Sequence, residues 1–379
     1  MKRLLTAIAL LLCGLAASAQ GFSTEGWWKP AGDKFSPVVN SDCSITFRIS
    51  APGASEVKLN FGEGTPLVCA MQKDAEGVWS VTIPPQAPRT YEYSFIVDGV
   101  KMPDMKNPEI KSGTEIYGSV VHVNQAGKPN YDDEVCAGSQ VDIVKYKSSA
   151  LGSVRKVYIY VPACYWNKNC RRKKFPVLYL RHGGGDSEES WTRSAYADNI
   201  LDNLIASGQA EPMIVAMTDG MTDGSWAGGS TPEAMDLLEK ELLEDVIPLV
   251  ESRYRTRRDA EGRAIAGLSM GGGQAYVIGM RNPEKFAWIA NFCAGLTSDA
   301  SFSHEKYGIA LGNPSEFNAS NRLLWLSCGM QDPRYEGSKA FAASLAQMGY
   351  KPVWHEADYN HEWEFWRLQL RDLAKELFK

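Results

Sequence analysis

The chain has 379 residues, of which 44% are hydrophobic and 22% charged, and its formal net charge is −5. This composition is ordinary for a folded globular protein and lacks the bias of disordered or collagen-like chains. The length exceeds one average domain and suits two, and the negative charge disfavours nucleic acid as a partner.

Residues 1–19 have the layout of a secretory signal peptide. Lys2 and Arg3 precede an apolar stretch, and the small residues Ala-Ser-Ala stand just before Gln20, the expected first residue after cleavage. The stretch is too short for a membrane span. Loss of Lys2 and Arg3 would move the formal charge from −5 to −7. We therefore expect a secreted or periplasmic protein without a membrane-spanning segment.

The cysteine pattern excludes the common zinc scaffolds. Of the eight cysteines, seven lie beyond the signal segment, and none forms a Cys-x-x-Cys pair, so neither a metal site nor a disulfide-built fold is expected. In an exported protein, two bridges are conceivable: Cys43–Cys69 and Cys164–Cys170. Two more cysteines lie in apolar runs and are interpreted as buried small hydrophobic residues: Cys293 and Cys328.

Residues 42–122 contain short runs of alternating polarity: CSITFRIS, EVKLNFGEG, VWSVTIPP, TYEYSFIVDGV and GSVVHVN. Such runs, separated by Pro, Gly and Asn turns, predict the strands of an all-β sandwich. Tyr91, Tyr93 and Phe95 share one face at period two, and Trp79 alternates in the same way. We interpret these aromatic residues as the sandwich core.

These strands resemble the early-set immunoglobulin-like modules of carbohydrate-active enzymes, and most of all the family 48 carbohydrate-binding module. The resemblance covers about eighty residues and rests on the strand layout, the Trp79 segment and the run YEYSFIVDG. It implies a small immunoglobulin-like domain over residues 20–125. We expect this domain to target the protein to polymer without taking part in the chemistry. Trp27 and Trp28 are candidates for stacking on a sugar, or for packing against the linker.

Residues 126–140 are polar and turn-rich, which predicts a linker. Beyond it, apolar strand-like runs alternate with amphipathic helical stretches; the runs are KVYIYVP, PVLYLRHG, MIVAMTDG, RAIAGLS, WIANFCAG and LLWLSCG. Near-continuous apolar strands between helices indicate a parallel sheet covered on both faces. We therefore predict a larger α/β domain over residues 141–379.

The strongest motif is AGLSMGG, which follows the strand run RAIAG and precedes the helical run GQAYVIGMRN. This is the context that a Gly-x-Ser-x-Gly nucleophile elbow requires. Its glycines prevent collisions at a sharp, strained turn. The turn raises the Ser269 hydroxyl above the sheet and directs the Met270 N–H at a developing oxyanion. The alternative is a glycine-rich turn with an incidental serine.

A serine hydroxyl needs a base to accept its proton. His361 suits this role because it lies on a loop between the strand run PVWHEAD and the final helix, at the sheet edge that carries Ser269; a packing histidine is the alternative. Asp332 follows the strand LLWLSCG and gives the chain order Ser, Asp, His. It is preferred over four rival carboxylates: Asp219, Glu336, Glu356 and Asp358.

The run RHGGGDSEESW offers a second oxyanion donor. It follows the strand PVLYL, and no side chain shields the backbone N–H groups of Gly183, Gly184 and Gly185. His182 is expected to fix this loop by hydrogen bonding. Phosphate binding is the alternative, but the spacing is not that of a P-loop and no Lys-Ser or Lys-Thr follows.

Residues 141–379 resemble the esterase D branch of α/β hydrolases, which includes carbohydrate esterase family 1. The resemblance rests on LYLRHGGGDSEESW, AGLSMGG, CGMQDPRYEG and NHEWEFWR in this order. It implies an α/β-hydrolase fold and two-step ester hydrolysis without a metal or organic cofactor. It also implies five site residues: Ser269, Asp332 and His361 as the triad, and Met270 and Gly184 as oxyanion donors.

The resemblance includes feruloyl, acetyl-xylan and siderophore esterases among its relatives. Export and a carbohydrate-module-like partner domain favour a plant cell-wall polysaccharide ester, and we expect feruloylated arabinoxylan. Trp191, Trp226 and Trp363 lie near the catalytic loops in sequence and are expected to contact the substrate, whereas Trp366 is expected to pack the last helix. The alternatives are an acetyl-xylan or siderophore esterase, or a polysaccharide-binding protein with an inactive esterase domain.

Overall fold

The computed structural model of this chain describes residues 37–64, 66–124 and 138–379. Several sequence-based predictions lie outside these ranges and stay predictions: the signal peptide at residues 1–19, the roles of Trp27 and Trp28, and most of the linker. The described residues group as a single compact unit. Among them, no helix combines the length and apolar character needed to cross a membrane.

Residues 37–124, here called the β region, form two antiparallel sheets over their described part. Their strands are β1 (Val38–Val39), β2 (Ile45–Ser50), β3 (Val57–Phe61), β4 (Leu67–Ala70), β5 (Gln72–Lys73), β6 (Val78–Ile83), β7 (Arg89–Val97), β8 (Val100–Met102), β9 (Ile110–Ser112) and β10 (Ile116–Val123). One sheet has the order β1-β2-β6-β5, and the other has the order β4-β3-β7-β10-β9, with β8 paired to β7.

The core of the β region consists of the residues whose alternation predicted it. Tyr91, Tyr93 and Phe95 are buried on one face of β7, and Phe47 from the facing sheet packs against Tyr93 with ring centroids 4.8 Å apart. Trp79 is buried as well, and its indole N–H donates to the carbonyl of Ala51 at 2.9 Å. The period-two pattern therefore predicted both the sandwich and its inner face correctly.

Residues 138–379, here called the α/β region, form an eight-stranded sheet within the described part of the chain. Its strands are β11 (Gln140–Lys147), β12 (Val154–Val161), β13 (Val177–Arg181), β14 (Ile214–Thr218), β15 (Arg263–Leu268), β16 (Trp288–Phe292), β17 (Leu323–Gly329) and β18 (Pro352–Ala357). The order is β11-β12-β14-β13-β15-β16-β17-β18. β11 and β12 pair antiparallel, β12 is antiparallel to β14, and the remaining pairs are parallel.

Helices cover both faces of this sheet. They are α1 (Ser190–Arg193), α2 (Ala197–Ala206), α3 (Pro232–Lys240), α4 (Ile247–Arg253), α5 (Ser269–Arg281), α6 (Pro314–Ser320), α7 (Tyr335–Gln347) and α8 (Trp363–Glu376), with a π-helical turn at Glu241–Val246 and 3₁₀ turns at Ala163–Trp166, Lys168–Cys170 and Ala260–Gly262. A separate hydrophobic cluster lies on each face of the sheet. Because both faces are covered, the central strands β13 to β16 are buried throughout their length. The predicted parallel sheet covered on both faces is confirmed for β13 to β18, whereas the run KVYIYVP lies almost entirely in β12, which pairs antiparallel with both of its neighbours.

Both disulfides considered from the sequence are absent. The six described cysteines are free thiols: Cys43, Cys69, Cys164, Cys170, Cys293 and Cys328. The interpretation of Cys293 and Cys328 as buried hydrophobic residues is correct, since both are fully buried at the ends of β16 and β17.

Candidate active site

Ser269 lies at the sharp turn between β15 and α5, with a backbone φ of 50°. Positive φ is uncommon for a residue with a side chain, and such strain clusters at functional sites. The turn also forces its neighbours to be glycine. A Cβ on Gly267 would lie 2.3 Å from the carbonyl oxygen of Gly271, and a Cβ on Gly271 would lie 2.3 Å from that of His182. The sequence motif thus adopts the tight strand–turn–helix geometry that exposes Ser269 at the sheet edge.

The structure brings Ser269, His361 and Asp332 together. The Nε2 of His361 is 3.0 Å from the Oγ of Ser269, and its Nδ1 is 2.5 Å from the Oδ2 of Asp332. Asp332 is only 3% exposed, and its Oδ1 accepts the backbone N–H of Arg334 at 2.9 Å. Both carboxylate oxygens therefore have donors, and the imidazole bridges nucleophile and acid as a general base requires.

The four rival carboxylates are engaged elsewhere or lie on another element. Asp219 pairs with Arg155, Glu356 with Lys339 and Asp358 with Gln331, whereas Glu336 lies in the first turn of α7. Asp219 also contacts His182, whose Nε2 accepts the N–H of Gly220 at 2.8 Å. The other ring nitrogen, Nδ1, donates to the carbonyl of Gly183 at 2.8 Å, so the structure confirms that His182 fixes the glycine loop by hydrogen bonding.

The surroundings of Asp332 favour its charged form. Burial raises its pKa, but the hydrogen bond and charge of His361, together with the N–H of Arg334, outweigh burial and lower the pKa from 3.8 to about 2. The ionised carboxylate can therefore hold the imidazole by Nδ1–H and stabilise an imidazolium.

This shift predicts how Asp332 affects stability as pH changes. Because the folded-state pKa is depressed, the carboxylate stabilises the fold above about pH 3.8, and this contribution is lost as pH falls from 3.8 towards 2. We expect Asp332→Asn to lower the urea midpoint at pH 6, and the difference from the wild type to narrow at pH 3.5. Chemical unfolding at the two pH values measures this. A difference that widened on acidification would contradict the assignment.

The glycine loop narrows the choice of a second oxyanion donor. The N–H of Gly185 donates to the carbonyl of Trp226 at 2.8 Å, so this group is already used. Gly183 and Gly184 line the same cavity as Ser269. A Cβ on Gly184 would lie 2.9 Å from the Trp226 carbonyl, which explains why glycine is needed there. Met270 lies in the first turn of α5, where its backbone N–H remains the candidate for the first oxyanion donor.

A cavity of about 360 Å³ opens beside Ser269, and both regions of the chain line it. The α/β region contributes Ser269, His361 and the two tryptophans that follow it, while the β region contributes Glu63, Glu92 and Lys111 among other residues. The β region therefore borders this cavity, while Ser269, Asp332 and His361 all belong to the α/β region, and the expectation that the β domain takes no part in the chemistry stays a prediction. The sheet β4-β3-β7-β10-β9 of the β region forms one wall of the cavity beside Ser269.

Hydrogen bonds attach the β region to the catalytic loops. The Oε2 of Glu63 accepts the N–H of Trp363 at 2.8 Å, where α8 begins two residues after His361. The Thr114 N–H donates to the carbonyl of Gly185 at 2.7 Å, next to the oxyanion loop. The N-cap residue of α8, Glu362, makes no side-chain hydrogen bond to the first turn. Glu63 therefore acts as the cap by accepting the first N–H of the helix. The β region supports the positions of both loops.

A buried charge cluster joins the two regions. The Nζ of Lys111 lies 2.8 Å from Glu92 and 3.5 Å from Asp186. Burial and the neighbouring Glu92 raise the pKa of Glu63 well above 4.5. Burial also raises the pKa of Glu92, but Lys111 and Glu63 outweigh it and lower that pKa. Burial raises the pKa of Asp186 as well, so Glu92 is the carboxyl of this cluster whose charged form is favoured.

Two of the three predicted substrate-contacting tryptophans line the cavity. Trp226 and Trp363 do, but Trp191 does not. Trp191 is 1% exposed, its indole N–H donates to the carbonyl of Arg181 at 3.0 Å, and it packs against Trp363 in the core. Its assignment to the substrate is wrong. Trp191 lies close to the glycine loop in sequence, but its ring is buried in the core and does not face the cavity.

Trp366 was expected only to pack the last helix. Trp366 is a residue of α8 and is buried in the hydrophobic core of the α/β region. It also lines the cavity, and its ring centroid is 4.9 Å from that of His361. The cavity residues of the β region were missed altogether. The alternation of β7 placed Glu92 on its outer face, but nothing in the local pattern indicated that this face meets the catalytic loops.

Among the described residues, one group of possible metal ligands is found: Cys293, Asp332 and His361, whose donor atoms lie within 4.8 Å of one another. Asp332 and His361 are already hydrogen-bonded to each other at 2.5 Å. This group is the acid–base pair of the site with a buried thiol behind it, and its geometry suits proton transfer.

The strand–turn–helix elbow and the mostly parallel sheet covered by helices define the α/β-hydrolase fold. The chain belongs to the esterase family described as "Putative esterase", whose model matches residues 148–377. This match covers the α/β region beyond β11, including Ser269, Asp332 and His361.

A curated relative extends the similarity to the β region. The chain is 30% identical over 353 residues to a Xylanibacter ruminicola protein named endo-1,4-beta-xylanase/feruloyl esterase, which covers 90% of this chain and 46% of the relative. The chain spans less than half the length of several curated relatives that it matches.

Solved structures share the fold. A ferulic acid esterase from Anaeromyces mucronatus is 22% identical, with a TM-score of 0.54, and the alignment covers 65% of this chain and 93% of that one. An enterochelin esterase from Shigella flexneri is 18% identical, with a TM-score of 0.66, and covers 94% of this chain and 97% of that one. The second match therefore includes the β region as well as the α/β region.

Proposed function

We propose that this protein is an exported serine carboxylic-ester hydrolase that releases hydroxycinnamoyl groups, such as feruloyl, from plant xylan. The observation that carries the reaction type is the continuous contact from Ser269 through His361 to Asp332 at the floor of an open cavity. Export follows the signal peptide expected at residues 1–19.

The geometry supports a two-step mechanism. The Oγ of Ser269 attacks the ester carbonyl while the Nε2 of His361 accepts its proton, and Asp332 stabilises the resulting imidazolium. The N–H groups of Met270 and Gly184 stabilise the oxyanion. The imidazolium then protonates the departing alcohol. Water, deprotonated by His361, finally cleaves the acyl-enzyme and regenerates Ser269.

The feruloyl preference is supported by the relative and by the aromatic walls. The Xylanibacter ruminicola relative carries feruloyl esterase in its name. Trp226, Trp363 and Trp366 surround the nucleophile, and a well-placed aromatic contact contributes about 0.5–1.5 kcal/mol beyond burial. An acetyl group would gain almost nothing from these walls. We infer that an aromatic acyl group is the preferred one.

A siderophore ester is the second candidate, because the enterochelin esterase fold matches both regions of this chain. A structure of the Shigella flexneri enterobactin esterase was determined in the presence of 2,3-dihydroxy-N-benzoyl-serine, in which the aromatic ring is attached to serine through an amide. The two candidates therefore differ in the acyl group, hydroxycinnamoyl or N-benzoyl-seryl, and in the alcohol that is released, a sugar or a serine hydroxyl.

A panel of esters tests the proposed substrate. We expect kcat/KM for methyl ferulate and for feruloylated arabinoxylan fragments to exceed that for acetylated xylan by at least about tenfold, the effect of one or two aromatic contacts, and also to exceed that for enterobactin. Purified mature protein and chromatographic detection of the released acids give these values. Release of acetate from xylan without any ferulate would refute the feruloyl proposal and leave the esterase mechanism intact.

A further inference from the structure

We propose that Lys111 of the β region is a positioning residue for catalysis, because its single ammonium group contacts both the glycine loop (residues 183–186) and the beginning of the helix that follows His361. This inference rests on the proposed serine-hydrolase mechanism and deepens it. Lys111 acts on the two loops that carry the catalytic groups and not on the reacting atoms. The β region thereby gains an indirect part in catalysis.

The side chain of Lys111 is enclosed where the two regions meet. Lys111 lies in β9 and is 7% exposed. Its Nζ is 2.8 Å from the Oε1 of Glu92, 3.5 Å from the Oδ1 of Asp186 and 4.8 Å from the ring centroid of Trp363. Glu92 belongs to the same sheet of the β region, whereas Asp186 and Trp363 belong to the α/β region. One ammonium group therefore joins three separate segments of the chain.

Asp186 connects Lys111 to the glycine loop. Asp186 is 6% exposed, and its backbone N–H donates to the carbonyl of Gly183 at 3.3 Å. Its carboxyl also lies close to Gly183, since a Cβ on Gly183 would be 3.4 Å from the Oδ2 of Asp186. Gly184, the candidate for the second oxyanion donor, lies within this turn. A fixed Asp186 carboxyl therefore helps to fix the direction of the Gly184 N–H.

Trp363 connects Lys111 to the catalytic histidine. Trp363 is the first residue of α8, and the ammonium group lies over its ring. The ring of Trp363 packs edge to face against that of Trp366, with centroids 5.2 Å apart, and Trp366 packs in the same way against His361 at 4.9 Å. Lys111 thus supports the pair of indoles that the imidazole contacts.

The charge of Lys111 persists in this buried position. Burial lowers its pKa, but the charges of Glu92, Asp186 and Glu63 outweigh burial and raise it. A buried ion pair often adds little net stability, because desolvation of both groups offsets their attraction. The shared contact does fix the glycine loop relative to the start of α8. A displacement of about 1 Å at a catalytic group can lower the rate about a hundredfold, so this relative position matters for turnover.

Removal of the ammonium group tests its effect on catalysis. Lys111→Met keeps an unbranched side chain without the charge. We expect kcat on a nitrophenyl ester to fall about a hundredfold and KM to change by less than about twofold, because the oxyanion donor and the base lose their relative position. Arg263→Met is the matched control: Arg263 is 8% exposed, pairs with Glu251 at 2.6 Å and begins β15 at the end remote from Ser269. It should keep kcat within about twofold of the wild type.

A double-mutant cycle tests whether Lys111 acts through Asp186. Asp186→Asn removes the carboxylate and keeps the size of the side chain, and it should lower kcat by itself. The double variant Lys111→Met/Asp186→Asn should have the kcat of Lys111→Met alone, because both substitutions break the same contact. Losses that multiply in the double variant would show independent effects and would overturn the inference.

Amide hydrogen exchange measures the order of the two loops without reference to activity. In folded Lys111→Met, exchange in the glycine loop and at the N–H of Trp363 should accelerate at least about tenfold, and in Arg263→Met it should not. Wild-type kcat, or unchanged exchange at both places, would overturn the inference. If Lys111→Met does not fold, Asp186→Asn must show both the loss of kcat and faster exchange in the glycine loop, or the inference fails.

A wild-type protein that hydrolyses no ester would refute the proposed function. Hydrogen exchange then decides separately whether Lys111 positions the two loops.

Discussion

Ser269→Ala should reduce kcat on every ester substrate by about a million-fold, which is the scale for removal of a triad serine. The hydroxyl oxygen is the attacking atom. Without it, the oxyanion donors of Met270 and Gly184 can stabilise only the direct attack of water on the ester. The fold should persist, because alanine tolerates the φ of 50° about as well as serine and loses one hydrogen bond, to His361.

The measurement is kcat with a nitrophenyl ester, together with a thermal unfolding curve of each protein. Ser252→Ala is the matched control, since Ser252 is exposed and its hydroxyl donates only to the Leu249 carbonyl among the described residues. Retention of a tenth of the activity would remove Ser269 from the mechanism. A wild-type protein without nitrophenyl esterase activity would favour the alternative of a polysaccharide-binding protein with an inactive esterase domain.

The positions of Ser269, Asp332 and His361 could be inferred from the sequence because each follows the end of a strand in a parallel sheet. The carboxyl ends of such strands meet at one edge, so residues far apart in the chain converge there. The glycines around Ser269 and the chain order added independent information. Local pattern and topology thus carried the same conclusion, and the observed contacts agree with it.

The wall formed by the β region could not be inferred in this way. Glu63 and Trp363 are 300 positions apart, and their hydrogen bond depends on how one sheet packs against a loop of the other region. Alternation along β7 shows which side chains leave the sandwich core but carries no information on what they meet. The error at Trp191 has the same origin, because a short helix turned its ring towards the core.

Asp332→Asn should reduce kcat by about ten-thousand-fold, as expected when the acid that orients a catalytic histidine becomes an amide. The Oδ2 of Asp332 lies 2.5 Å from the Nδ1 of His361, so the carboxylate keeps the proton on Nδ1 and leaves Nε2 free to accept the proton of Ser269. An amide nitrogen at that position would donate to Nδ1 and move the imidazole proton to Nε2, where it opposes proton transfer.

The readout that separates this role from a structural one is the pH profile of kcat. A variant with the wrong tautomer should recover part of its rate as hydroxide replaces the missing base, whereas a misfolded variant should not. Asp358→Asn is the matched control, because Asp358 lies on the same loop as His361 and pairs with Gln331. Near-normal turnover in Asp332→Asn would transfer the role to another carboxylate. Loss of activity in Asp358→Asn alone would assign the role to Asp358. The loop would then have to rearrange, because the Asp358 carboxylate now contacts Gln331.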